Sequence, residues 1–134
     1  MNTESIFRGL WDVDKTLRGL LPVSRICTGV SMQGMFPYAV ILETENTPKF
    51  PGNAGEVRQV GMLKITFHAR GRAELDMLAE AMDIAFSGTV HTVSLGAEET
   101  YVRLRRTRRA FSCVRHDQWM MEVEMEITRD QVKE

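Results

Sequence analysis

Residues 119–128 constrain the fold more than any other stretch of this chain. Trp119, Met121, Val123, Met125 and Ile127 alternate with Met120, Glu122, Glu124, Glu126 and Thr128. A strict period of two places one set on each face of an extended strand, so Trp119–Thr128 is predicted as a strand with one dry and one wet face. Such a strand needs neighbours on both sides and a layer over its apolar face.

One neighbour is predicted just upstream. Thr100–Ala110 also reads as a strand, with Val102 and Leu104 on one face and Tyr101, Arg103 and Arg105 on the other. A hairpin closed around Ser112–Gln118 puts Arg103 and Arg105 opposite Glu126 and Glu124. Facing opposite charges contribute about 0.2–1 kcal/mol each, and a one-residue slip would bury charge. Six arginines and no acid fall between Arg103 and Arg115. Two readings stay open for this charge. It is a solvated ion-pair face, or it contacts a second subunit or nucleic-acid phosphates. On this pairing Arg106 and Arg108 fall on the apolar face, and Arg109 and Arg115 have no matched acid. No aromatic residues are interleaved to stack bases, which argues against single-strand recognition.

The covering layer is predicted from two helical stripes. From Thr3 to Leu21, Ile6, Leu10, Val13, Leu17 and Leu20 recur at steps of three and four, widened by Phe7, Trp11 and Leu21. Pro22 stops the helix. From Arg72 to Phe86, Leu75, Leu78, Ala79, Met82 and Phe86 form the apolar stripe, with Glu74, Asp76, Glu80 and Asp83 on the wet side. Between them lie a short β-like piece (Val23–Val30), a strand over Ala39–Glu43 reading as central, and a strand over Val60–His68. Leu63, Ile65 and Phe67 share one face of the last. Glu45–Gln59 is proline- and glycine-rich and is predicted as a long loop, with Lys49, Phe50, Asn53, Glu56 and Arg58 as partner-contact candidates. Val90–Leu95 is a further short apolar piece, and residues 129–134 read as a polar tail. The expected class is therefore α+β, a mostly antiparallel mixed sheet with two amphipathic helices packed on it, in one domain over residues 1–134.

The search for chemistry returns little. There is no Gly-rich phosphate loop, no Gly-x-Ser-x-Gly elbow and no His-Glu-x-x-His. Cys113-x-x-His116 has metal-ligand spacing, but one pair does not complete a tetrahedral site. Asp117 beside His116 has no nucleophile placed for it. The nine methionines read mainly as core filler. Two cysteines far apart fit reduced thiols in a cytoplasm, and a net charge of −1 gives no global pull toward nucleic acid or membrane. No apolar run is long enough for a membrane span. The expectation is a protein without catalytic residues, metal or cofactor, acting by binding and assembly.

The order of these elements resembles the small tail-completion, or tail-terminator, proteins of long-tailed bacteriophages, the lambda minor tail protein U-like group. The resemblance runs through the amphipathic helix Ile6–Leu21, then Phe36-Pro37-Tyr38-Ala39-Val40-Ile41 entering a strand. After the Pro/Gly loop come the strand Met62–Arg70, the helix Glu74–Phe86 and the two closing strands. It implies a virion protein that forms a ring, typically a hexamer, on the end of the tail tube. That ring stops tube polymerisation and offers the head-joining surface. Its implied partners are itself, the tail-tube protein, a head-completion or connector protein, and DNA passing through the channel unread. The implied location is the host cytoplasm during assembly and then the virion tail. Arg103, Arg105, Arg106, Arg108, Arg109, Arg115, Glu122, Glu124 and Glu126 are the interface or channel candidates. Alternatives are a head–tail connector or neck protein, or a nucleic-acid-binding module using Arg103–Arg115.

Overall fold

The computed structural model describes residues 3–29, 35–49, 56–87, 90–95 and 98–132. Its centre is one six-stranded sheet in the order β1-β2-β3-β6-β5-β4. The strands are β1 (Ile26–Thr28), β2 (Tyr38–Lys49), β3 (Glu56–Ala69), β4 (Val90–Leu95), β5 (Glu98–Arg115) and β6 (Gln118–Val132). Every pairing is antiparallel except β1 with β2. This is the α+β mixed sheet that the alternation demands.

The closing alternation holds throughout. Met121, Val123, Met125 and Ile127 are buried, while Glu122, Glu124 and Glu126 are half-buried on the opposite face. On β3, Leu63, Ile65 and Phe67 are fully buried beside them. Helix α3 (Arg72–Phe86) has the predicted bounds, and its stripe Leu75, Leu78, Ala79, Met82 and Phe86 lies on this dry face. Ridge and sheet together build one core.

The first helix is two. Helix α1 (Thr3–Val13) stops, and α2 (Lys15–Leu20) starts anew from Asp14, whose side chain accepts a hydrogen bond from Leu17 N at 3.0 Å. Aspartate competes with helical continuation by capping, which the apolar periodicity hides. The bend lets Trp11 and Leu21 both bury, with Trp11 Nε1 donating to Leu21 O at 2.8 Å. It also expels Val13, which the continuous stripe had placed inside and which is 75% exposed. Among the described residues there are thus three α-helices rather than two, with α1 and α3 on the sheet and α2 packed against both.

Several boundaries, and the place of one strand, differ from expectation. β2 continues to Lys49 and β3 begins at Glu56, so strand backbone replaces most of the predicted loop 45–59. Ladder pairing, Lys49 with Arg58 for example, outweighs the local preference of Asn46 and Pro48. β6 runs to Val132, so most of the predicted tail is strand, and Arg129 is buried at 8% exposure. The β5–β6 turn shrinks to His116 and Asp117. Finally, β2 is second from the edge and one-faced: Ala39 and Ile41 are buried, but Leu42 is 54% exposed. The short piece predicted at Val23–Val30 is a 3-10 turn (Val23–Arg25) followed by β1, with Val30 outside the described residues.

Candidate functional site: the arginine strand and the groove beside helix α3

The arginine strand does not run straight. Its register on β6 shifts between Arg106 and Arg108, so Thr107 is an extra, bulged residue. Thr107 Oγ1 donates to Glu124 O at 3.3 Å. Above the bulge Arg105 pairs with Glu126; below it Arg108 faces Glu124. The predicted pairing of Arg103 with Glu126 and Arg105 with Glu124 is therefore off by two residues. Arg103 faces Thr128, and the formed ion pair is Arg105–Glu126 at 3.4 Å.

The bulge also redistributes the surplus arginines. Arg108 turns to the glutamate face, while Arg106 and Arg109 come to the helix-covered face. There both meet one acid that the strand pattern could not show: Asp83 of α3, at 3.3 Å from Arg106 and 3.2 Å from Arg109. Among the described residues Arg103, Arg108 and Arg115 form no ion pair, and all three are exposed. The unmatched set is thus Arg103, Arg108 and Arg115, and not the expected Arg106, Arg108, Arg109 and Arg115.

The glutamates belong to the middle of the sheet, since β6 lies between β3 and β5. Glu122 is 3.6 Å from Lys64 of β3, a partner the hairpin pattern missed. Glu122 and Glu126 are thus paired within the subunit, by Lys64 and Arg105.

Asp83 and its two arginines stand at the rim of a cavity of about 150 Å³ between α3 and β5. Its floor is apolar, made by Met82, Phe86, Leu104, Val123 and Met125. A shallower groove continues along α3 past Ile84 to Phe111 and Arg72. The Arg72 guanidinium lies 3.9 Å from the Phe111 ring centroid and 5.7 Å from that of Trp119. Aromatic rings do therefore sit beside the arginines, brought there by folding and capped by Arg72.

Three other ionisable groups are wholly or partly buried. Arg129 lies on the helix-covered face; burial lowers its pKa from the ordinary value, and the charge of Glu43 opposes that shift. Burial also lowers the pKa values of His68 and His91. His68 stacks on Tyr38 at 4.6 Å, and His91 meets the edge of Phe86 at 5.9 Å. Among the described residues no three His, Cys, Asp or Glu side chains gather to hold a metal ion. No described helix is long and apolar enough to cross a membrane. Of the loop candidates, Lys49, Glu56 and Arg58 sit on strand backbone in β2 and β3, whereas Phe50 and Asn53 lie outside the described residues.

No protein-family model matches the chain, and no curated protein matches its sequence. A solved structure does. A chain of the virion of a native gene transfer agent particle is similar over 94% of this chain and 90% of that one, with a TM-score of 0.57 at 15% identity. The likeness is one of fold, and it spans nearly all of both chains.

Proposed function

We propose that this chain is a structural protein of a phage-like virion, acting by assembly and not by catalysis. Its near end-to-end fold likeness to a chain of a gene transfer agent virion carries this reading. More finely, the chain caps the tail tube as a ring, ends tube polymerisation and offers the surface on which the head joins. The element order that resembles tail terminators supports this, as do the exposed arginines Arg103, Arg108 and Arg115. Their charge suits DNA passing unread along a channel, because contacts to phosphate alone carry no sequence information. The ring assembles in the host cytoplasm and ends in the virion tail.

The test is mass in solution, by light scattering across a wide concentration range, with and without purified tail tubes. Closed oligomers, or rings seen by electron microscopy at tube ends, are expected. A chain that stays monomeric and leaves tubes uncapped would refute the ring. Tight, salt-dependent DNA affinity in that monomer would point to a nucleic-acid module instead.

A further inference from the structure

Among the described residues the sheet leaves two strand spans without a neighbour, and they lie at opposite corners. β4 pairs only with Glu98–Arg103 of β5, and among the described residues no strand covers the outer side of Leu104–Arg115. At the other end of the sheet order, β1 pairs only with Ala39–Ile41 of β2. No described strand covers the outer side of Leu42–Lys49. Unpaired backbone N–H and C=O groups on such spans are templates for another strand.

Strand directions place these spans diagonally. β2 and β5 run antiparallel, so the late half of β2 and the late half of β5 point to opposite ends of the sheet. We infer that these two spans join head to tail between copies of this chain, β5 of one antiparallel to β2 of the next, with the helices of both on the same side. The joint is a staggered lap. β4 of the first copy and β1 of the second occupy the corners that the stagger leaves. A constant stagger tilts the strands against the ring axis, as closure of any sheet into a barrel requires.

Charge selects the partner. The free span of β5 carries five arginines and no acid, of which Arg108 and Arg115 are exposed and form no ion pair among the described residues, whereas the sequence of the β2 span holds two acids to one lysine, with Glu43 already acting on Arg129. Two β5 edges repel one another, so a symmetric β5–β5 pairing is selected against. A heterologous joint remains, and that is the type that closes rings. The joint rests on the ring proposed above, and it names which surfaces make it. Arginines and bulges also serve to keep an edge strand single, and the test below separates the two uses.

The test is disulfide trapping in full-length chain with Cys27→Ser and Cys113→Ser. Copies carrying Leu42→Cys are mixed with copies carrying Arg105→Cys, Arg108→Cys or Ser112→Cys. All four positions are exposed on the open face of the sheet, and the melting curve of each variant is to be compared with that of the parent before mixing. A joint brings at least one pair within the narrow Cα separation a disulfide requires. Linking is then about tenfold or more faster than for Leu42→Cys mixed with Met77→Cys on α3, because a bound pair has a high effective concentration. Oligomers detected by mass with no such preference would overturn the joint and leave the ring standing. Self-linking of Arg108→Cys copies at the fast rate would overturn it in favour of a symmetric dimer. Monomers at every concentration, linking no faster than the control, would overturn the joint and the ring together.

Discussion

Arg109 Nη1 lies 3.2 Å from Asp83 Oδ2, tying the arginine strand to helix α3 across the rim of the apolar groove. Arg106 reaches the same carboxylate at 3.3 Å. One acid thus holds two bases, and removing it frees both.

Asp83→Asn is therefore expected to cost little stability. All three side chains are partly exposed, and ion pairs of this kind contribute about 0.2–1 kcal/mol. The urea midpoint should fall slightly with an unchanged slope, because the surface exposed on unfolding stays the same. A loss of several kcal/mol would show that the pair of bridges holds the groove open.

Gly61→Ala is expected to be more damaging than its size suggests. A Cβ at this position would lie 2.5 Å from Thr3 Oγ1 and 2.8 Å from Thr3 Cγ2, where α1 presses on β3. Overpacking of this kind costs about 1–3 kcal/mol. Thr3→Ala removes both atoms, so the double variant should recover part of the loss. Additive losses in a double-mutant cycle would show that the contact is not the cause.

Stability should fall on mild acidification. Burial lowers the pKa of His68 and His91 in the folded state, so below the unfolded value of about 6.5 the unfolded chain binds more protons. Stability is then full above that pH and declines as pH drops through the window beneath it. Urea titrations at neutral and mildly acidic pH measure the slope, and replacing both histidines by phenylalanine should reduce it. An unchanged slope would assign the dependence to other groups.

Trp11→Phe is expected to destabilise by about 2–4 kcal/mol, through lost volume and an unpaired Leu21 carbonyl. Trp11 is wholly buried and Trp119 only partly, so the variant should also lose the bluer part of the tryptophan emission. Denaturant unfolding followed by fluorescence measures both effects. A loss below 1 kcal/mol would mean that the bend at Asp14 does not depend on this hydrogen bond.

Much of the architecture was legible before folding. α3 kept its predicted bounds, and the faces of β3 and β6 were the ones their alternation implied. Asp14 was also a readable signal, a capping residue three before Leu17, but the apolar stripe ran over it. The candidate site was only half legible: the arginines and glutamates were recognisable, their partners were not.

Period and charge sign are local properties, so the sequence by itself determined which residues of α3, β3 and β6 face the core and that Arg103–Arg115 is basic. Which charges remain unmatched depends on contacts between distant segments. The bulge at Thr107 turns Arg108 toward Glu124, and the docking of α3 brings Asp83 between Arg106 and Arg109. Likewise, only the sheet order leaves the late halves of β2 and β5 without a described strand beside them, because the lengths of β1 and β4 matter only once it is known which strands they border.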